Sequence, residues 1–468
     1  MAPAAYAVWV LVLQVVAYLG YLDLGLQTAV GRYIAFANEK KDTELRDGIF
    51  STAFAGLSIA AVLGLVLIFV AAAESKSIFP SIPAALLAPM RTATLIVGIS
   101  AALGLPASTC NGVFIGLQRY EIPAITTGTV KLLSALGLIL AALAGRSLVF
   151  MASVVAAANL LSYTLQFGMQ RRIAPEMKIR KELITKSTIR ELSSYCFSLT
   201  VWSFSILMVS GFDVLLVARF QFSAVAPYSV CATLITFLAG IQFAIFGTIM
   251  PHAAGLHAHQ DSRALGDLVV RSTKLGVLLL LLTGLPLIVL AAPLIRSWIG
   301  SQFVDMGSSI LIILVGANML RLTGVPYSSV LMGAGQQRLI IVGPLMEGVT
   351  NLLSSVLLGW KYGAIGVAWG TLIGAVVAVL TNVFYNLLKT RNSIDVSWLQ
   401  YLGEALAMPA LCGIPVYLTL IFKALGYPIG ITLALPALFL SGSICFAICL
   451  KAILKDRRRE LRSIEECS

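Results

Sequence analysis

Long apolar segments recur along the whole chain, separated by short polar connections. Each is about 20 residues long, the length of helix that crosses a hydrocarbon core of about 30 Å. Their continuous hydrophobicity indicates helices, because barrel strands alternate apolar and polar residues. The pattern predicts an all-α polytopic membrane protein with about thirteen transmembrane helices. The predicted spans are residues 5–26, 49–73, 92–115, 124–145, 148–169, 195–217, 227–250, 273–295, 306–334, 339–359, 363–387, 404–424 and 428–452.

Composition supports this class and explains the basic charge. The chain is 59% hydrophobic and 12% charged, whereas soluble domains carry about 25% charged residues. The net charge is +12, but its placement matters more than its size. If residues 31–47 lie inside, most of the 33 Lys and Arg residues also fall on the inner side, as the positive-inside rule requires. We therefore interpret the charge as a topology signal and expect no nucleic-acid partner.

Two similar stretches indicate an internal repeat of about 219 residues. Gly104 and Pro106 form a Gly-x-Pro sequence in an apolar segment, and a Gln-Arg pair follows it. Gly324 and Pro326 form the same sequence ahead of a second Gln-Arg pair. Interrupted helices at matching positions of two halves point to a transporter with its site at the repeat interface. We take these four residues as hinge candidates.

The repeat also predicts the organisation of the chain. Six helices separate corresponding elements, so the two halves should enter the membrane in the same direction and form a parallel repeat. Five helices precede the second half, so we expect the first half to lack its opening helix, with the N-terminus outside and the C-terminus inside. The predicted divisions are 1–170 (first half), 171–193 (basic cytosolic linker), 194–389 (second half), 390–453 (two appended helices) and 454–468 (charged cytosolic tail). An amphipathic surface helix is expected within the linker.

A second similarity lies in the loop after the opening helices of each half. Asp42-Thr43 and Asp261-Ser262 stand about 219 residues apart, each ahead of a membrane helix. Such pairs are typical of a helix N-cap. The loops are either coupling elements or solvated connectors.

Several short motifs, in this order and spacing, resemble those of the polysaccharide flippase family, the Wzx-like PST branch of the MOP superfamily. That superfamily also includes the MATE drug exporters. The resemblance covers about residues 5–390, and family members usually have 12 or 14 helices. The motifs are Tyr21-Leu-Asp-Leu-Gly-Leu26, Gly31-Arg-Tyr-Ile-Ala35, Gly116-Leu-Gln-Arg119, Gly211-Phe-Asp-Val214, Trp298-Ile-Gly300, Gly333-Ala-Gly-Gln-Gln-Arg338 and Gly363-Ala-Ile-Gly-Val-Ala368.

This resemblance implies a flippase for cell-surface polysaccharide biosynthesis, such as that of lipopolysaccharide or exopolysaccharide. It would move polyprenyl-pyrophosphate-linked oligosaccharide across the cell inner membrane by alternating access. The implied partners are this lipid-linked cargo, membrane lipids, H⁺ or Na⁺, and polysaccharide polymerase or assembly proteins.

Ionisable residues inside membrane helices are costly and are functional candidates by default. Arg321 lies near the middle of a long helix, where its guanidinium could hold phosphate. Its alternative role is to cap backbone carbonyls freed by Pro326. Lys131 and Glu347 lie in corresponding helices of the two halves and could pair until pyrophosphate takes the lysine. Alternatively, they form a static pair, or Lys131 reaches the cytosolic interface.

Two aspartates are candidates for binding a coupling ion. Asp213 lies near the outer end of its helix, where it binds a proton or Na⁺ or else pairs with Arg219 at the interface. Asp23 lies at the inner mouth of the opening helix, where interfacial anchoring is the alternative.

No nucleotide-binding loop, catalytic triad spacing or metal-ligand cluster is recognisable, so we expect neither an enzyme nor a cofactor. Three other functions stay open. A MATE-like exporter of cations is disfavoured by Arg321 and Lys131, because like charges repel. A lipid II-type flippase is similar in kind. A membrane glycosyltransferase or ligase usually needs a larger aqueous domain.

Overall fold

The computed structural model describes residues 2–425 and 430–467, and within them it contains helices and connecting turns but no strand. Because lipid offers no hydrogen bonds, the backbone of each apolar segment satisfies its own polar groups as helix. The longer helices are α1 Pro3–Ala17, α2 Leu26–Glu39, α3 Thr43–Ala73, α4 Ala84–Gly116, α5 Val130–Leu143, α6 Leu148–Ile173, α7 Lys186–Ile206, α8 Asp213–Phe220, α9 Val225–Gly247, α10 Met250–Ala258, α11 Ser262–Val289, α12 Ala291–Trp298, α13 Val304–Leu322, α14 Val325–Gly333, α15 Val342–Thr381, α16 Ile414–Ala424 and α17 Ile431–Cys467.

The described residues include 12 helical segments long and apolar enough to cross a membrane. One of them, Arg338–Thr390, is 53 residues long and contains two of the predicted spans. It is broken at Gly363, whose φ of 61° and ψ of −141° lie outside the helical region. Glycine adopts these angles because it has no Cβ. The chain is therefore a multi-pass helical membrane protein, as the apolar pattern predicts, and the two segments of α15 supply both spans.

The two segments of α15 pack closely against each other through glycines. A Cβ on Gly370 would lie 2.2 Å from Ser355 Oγ, and one on Gly366 would lie 2.1 Å from the Leu358 carbonyl oxygen. Small residues let backbones approach in this way inside membranes, where packing rather than hydrophobicity drives helix association. The close packing holds the polar residues of the first segment against those of the second.

The chain divides into two compact units. The first comprises Met1–Phe204 and Gln221–Ala226, and the second comprises Ser205–Phe220 and Pro227–Ser468. An apolar cluster in the first unit joins α2 and α3 to the linker and includes Ile34, Phe50 and Met177. In the second unit, the appended helices α16 and α17 pack on α11 through a separate cluster.

The start of α3 and the start of α11 share the local geometry that the repeat predicts. Asp42 caps α3 by accepting a hydrogen bond of 2.9 Å from the N–H three residues on, and Asp261 caps α11 in the same way at 2.9 Å. Immediately before each cap, Lys41 and Gln260 both have φ of 55°. The predicted N-caps are confirmed, and the matching angles extend the similarity to the backbone.

The basic linker is mostly extended rather than helical. The helix α6 ends at Ile173, a short 3₁₀ turn spans Lys181–Leu183, and α7 begins at Lys186. The predicted surface helix is therefore wrong for residues 174–180, although the end of the linker is helical. Burial explains the difference, because Ala174 and Met177 insert into the apolar cluster of the first unit.

Ion pairs fix this extended segment to the start of α3. Asp47 lies 3.4 Å from Arg46 and 3.5 Å from Arg180, and Arg46 lies 3.1 Å from Glu176. The Arg180 N–H also donates to Ser51 Oγ at 2.8 Å. The Asp47 side chain is only 3% exposed, so its charge depends on these partners.

Replacing Asp47 should loosen the linker. Asp47→Ala leaves buried Arg46 without one counter-charge, and removing one partner of a buried pair costs about 3 kcal/mol. We expect a lower unfolding midpoint in detergent and faster proteolysis between residues 174 and 185. Glu182→Gln, at an exposed acid of the same linker, is the matched control and should resemble wild type. Equal stability of Asp47→Ala and wild type would contradict a structural role for these ion pairs.

Candidate functional site

The second unit holds a buried group of charged side chains in its membrane helices. Arg321 lies in the last turn of α13, just before this helix ends and a short turn at Thr323 and Gly324 begins. At this break the N–H groups of Thr323 and Gly324 bond to carbonyls three residues back, and α14 starts afresh with Pro326 in its first turn. Irregular backbone at membrane depth occurs where it is enclosed by protein or lines a cavity.

Arg321 is held by two neighbours rather than left free. Its Nε lies 3.8 Å from Glu347 Oε1, with the two side chains 20% and 10% exposed. Its Nη2 donates to Asn318 Oδ1, one turn earlier in α13. The guanidinium therefore still has N–H groups for a further acceptor, since it carries five in total.

Asp213 lies near this pair and belongs to a second polar group. It is 9% exposed at the start of α8, and its Oδ2 accepts a hydrogen bond of 3.2 Å from Thr371 Oγ1. Tyr228 lies beside it, fully buried, and its hydroxyl forms no hydrogen bond of ordinary geometry with the residues that the structure describes. The charge of Arg321 also acts on Asp213. Asp213 is therefore part of a buried polar group, and its role as a coupling residue stays a prediction.

A chain of hydrogen bonds leads from Thr371 to further oxygen atoms. Ser355 Oγ donates to Asn351 Oδ1 at 2.9 Å and to the Val367 carbonyl at 3.2 Å. The same carbonyl accepts from Thr371 at 3.3 Å. Hydroxyl, amide and carbonyl oxygens beside a carboxylate are the ligand types that hard cations prefer. We call Asp213, Asn351, Ser355, Val367 and Thr371 the oxygen cluster.

Lys131 lies in the other unit, on α5, where its side chain is exposed. The same helix exposes large apolar residues, including Leu132 at 68% and Leu140 at 66%. Glu347 contacts Arg321 within the second unit. The pairing of Lys131 with Glu347 would join the two units and stays a prediction.

Asp23 lies at a helix break in the first unit. Leu24 and Gly25 adopt left-handed angles, with φ of 50° and 79°, between a 3₁₀ segment and α2. The Asp23 carboxylate accepts from the Gln27 N–H at 3.3 Å, at the start of α2. A cavity of 500 Å³ opens here, lined by Asp23, Gly25 and Ser203 among others. Asp23 therefore lines a cavity beside irregular backbone.

The Gly-x-Pro sequences behave differently in the two units. The helix α4 continues through Gly104 and Pro106 without interruption. At Gly324, by contrast, a short turn separates two helices. A Cβ on Gly104 would lie 2.2 Å from Tyr163 Oη, so this glycine permits a close helix contact. Their roles as hinges stay predictions.

Sequence reasoning missed the polar partners. Asn318, Asn351, Ser355 and Thr371 are uncharged residues in apolar helices, and none stood out singly. Their spacing offered a signal, because Asn351 and Ser355 are four residues apart and so share a helix face.

A double-mutant cycle should detect the buried ion pair. Arg321→Met alone leaves Glu347 buried without its cation and should cost about 3 kcal/mol of unfolding free energy. Adding Glu347→Gln removes the stranded charge, so the double variant should recover much of the loss. Denaturant unfolding of all four proteins in one detergent measures the coupling. Additive losses would show that the two residues do not interact.

Comparisons with known proteins agree with this architecture. The family model for polysaccharide biosynthesis proteins (Polysacc_synt) matches residues 1–257, more than half of the chain. No curated protein matches the sequence.

Among solved structures, the fold is similar to an inward-facing multidrug resistance MATE family transporter of the MOP superfamily. The TM-score is 0.72 at 13% identity, over 83% of this chain and 91% of that one. It is also similar to the lipid II flippase MurJ in an inward closed conformation, with a TM-score of 0.67 at 15% identity over 96% and 98% of the two chains. A MOP superfamily transporter from Pyrococcus furiosus gives 0.59 at 15% identity, over 83% and 88%. The chain thus belongs to the polysaccharide biosynthesis protein family and has the fold of MOP superfamily transporters.

Proposed function

We propose that this protein is a flippase that moves polyprenyl-pyrophosphate-linked oligosaccharide across the cytoplasmic membrane by alternating access. The cargo would serve cell-surface polysaccharide biosynthesis, with polymerase or assembly proteins as later partners and the C-terminus in the cytoplasm. Family membership supports the pathway, and the MOP fold supports a carrier. Such a headgroup crosses lipid slowly unaided, because charged and polar groups are costly there.

The observation that carries the proposal is the half-buried guanidinium of Arg321 at the end of α13, beside the turn that separates α13 from α14. A cation inside apolar helices is expensive unless it has anionic partners. Guanidinium geometry matches phosphate oxygens and allows two parallel hydrogen bonds. Arg321 retains donors beyond its contacts with Asn318 and Glu347. Pyrophosphate is an anion that these donors suit.

Lys131 and Glu347 complete the proposed cargo-binding residues. Lys131 is an exposed cation on α5 and is the candidate in the first unit for contact with pyrophosphate. Glu347 holds Arg321 when cargo is absent. The hinges would be Gly324 and Pro326, at the observed helix break, with Gly104 and Pro106 as their counterparts.

The coupling ion would bind at the oxygen cluster. Asp213 supplies a carboxylate, and four further residues, linked to it through Thr371, supply neutral oxygens. Na⁺ fits this set because it is a hard cation, and a proton on Asp213 is the alternative. Asp23, beside its cavity in the first unit, is a second coupling candidate.

A cation exporter is the second candidate function, and one observation favours it. The buried group in the second unit contains two carboxylates, Asp213 and Glu347, against one guanidinium. An excess of negative charge attracts cationic cargo. The positive charge of Arg321 disfavours binding of a cationic cargo. A lipid II-type flippase carries an anionic cargo, and Arg321 would bind it as proposed here.

Removing the cationic contacts should slow transport of the anionic cargo. In liposomes, Arg321→Gln should reduce leaflet exchange of a polyprenyl pyrophosphate glycan by about tenfold or more, since bonds to charged groups contribute about 1.5–3 kcal/mol each. Lys131→Gln should give a smaller loss, because its charge is exposed and screened. A fluorescent glycan with an outer-leaflet quencher measures the exchange.

Lys361→Gln is the matched control, because Lys361 is exposed near the Gly363 turn. It should transport like wild type. If folded Arg321→Gln and Lys131→Gln both match the control, the cationic contacts proposed here are wrong.

Changing the oxygen cluster should alter the ion dependence without removing cargo binding. Thr371→Val deletes the hydroxyl that bonds Asp213, and Asp213→Asn deletes the charge. We expect both variants to lose stimulation by an inward Na⁺ or H⁺ gradient, measured as the ratio of exchange rates with and without the gradient. Asp305→Asn, an exposed acid on α13, serves as control. Retained stimulation in both cluster variants would exclude this site.

A further inference from the structure

We propose that Glu347 competes with the cargo's phosphate for Arg321, and that cargo binding is accompanied by proton uptake at Glu347. The inference rests on the proposed function, because it assumes that Arg321 contacts the pyrophosphate. It adds a regulatory role for a carboxylate in the same site. Arg321 would alternate between an internal anion and the anion that is carried.

The geometry makes Glu347 an internal substitute for a phosphate oxygen. Its Oε1 lies 3.8 Å from Arg321 Nε, so the carboxylate occupies one side of the guanidinium. Within the described residues, Arg321 is the one side-chain partner of Glu347. Asp213, by contrast, also accepts a hydrogen bond from Thr371. Glu347 is therefore the carboxylate that depends most on Arg321.

Burial then links the two binding events. Glu347 is 8% exposed, and a buried carboxylate without a counter-charge takes up a proton rather than stay ionised. When Arg321 turns to a phosphate, Glu347 loses its partner. Binding of the anion should then favour protonation of Glu347, and protonation of Glu347 should favour binding of the anion by the same factor, because two coupled binding equilibria affect each other equally.

Few other ionisable groups act on Glu347. Arg321 on α13 is its ion-pair partner, and Asp213 is a buried acid on α8, another element packed against α15. Tyr228 on α9 is buried beside Asp213. The exposed ionisable residues on elements packed against α15 are Arg219, Asp305, Arg338 and Tyr385.

The site is tested by calorimetric titration of the purified full-length protein in nanodiscs with a short-chain prenyl pyrophosphate, at pH 8 and pH 6. Wild type should bind about tenfold tighter at pH 6, within the range of 5–150-fold typical of coupled sites. Glu347→Gln should bind tighter than wild type at pH 8 and gain no affinity at pH 6.

Titration in buffers of different ionisation enthalpy gives the number of protons taken up on binding. Wild type should take up about one more than Glu347→Gln, because the phosphate's own titration is common to both.

The outcomes separate this inference from the proposed function. If wild type does not bind the probe, or if Arg321→Gln binds it equally well, the proposed phosphate contact fails. If binding requires Arg321 but Glu347→Gln binds more weakly or keeps the pH dependence of wild type, only the competition fails. Asp305→Asn is the matched control and should behave as wild type. If Glu347→Gln does not fold, Glu347→Ala takes its place, with the same expected difference of about one proton from wild type.

Discussion

The structure depends on one constraint: a charge placed among apolar membrane helices must have a partner. Arg321 meets it with Glu347 and Asn318, and Asp213 meets it with Thr371. These contacts join α8, α13 and both segments of α15 within the second unit. An ion pair that served only packing could be replaced, both partners together, by apolar side chains at little cost. The position of Arg321 beside a helix break is consistent with the anion-binding role proposed for it.

Irregular backbone lies beside a charged, partly or fully buried side chain in both units. A π-helical turn at Leu207–Gly211 precedes Asp213, and the break at Gly324 follows Arg321. In the first unit, left-handed Leu24 and Gly25 adjoin Asp23. The counterpart of Asp23 in the repeat, about 219 residues later, is Gln242, which is neutral, buried and part of an unbroken helix. Backbone distortion in a membrane requires local polar support. Asp23 accordingly lies beside irregular backbone, whereas neutral Gln242 lies in a regular helix.

The sequence predicted what depends on local pattern. Apolar segments marked the membrane helices, and Asp42 and Asp261 marked two helix starts, because hydrophobicity and capping act over a few residues. Contacts between distant helices were harder to predict. Glu347 was assigned to Lys131 by its place in the repeat, whereas its observed neighbour is Arg321. Thr371 carries no charge and stood out only once the fold brought it to Asp213. The extended linker depends on burial of Ala174 and Met177, which composition alone does not reveal.

The central claim is that the carried molecule is an anionic glycolipid and not a cation. The most direct measurement offers both to the same proteoliposomes: a fluorescent polyprenyl pyrophosphate glycan and a lipophilic cationic dye, each followed across the membrane against protein-free liposomes. The account predicts protein-dependent exchange of the glycolipid, inhibition by excess unlabelled glycolipid, and dye movement equal to that of protein-free liposomes. Protein-dependent dye export without glycolipid exchange would contradict it and favour a cation exporter.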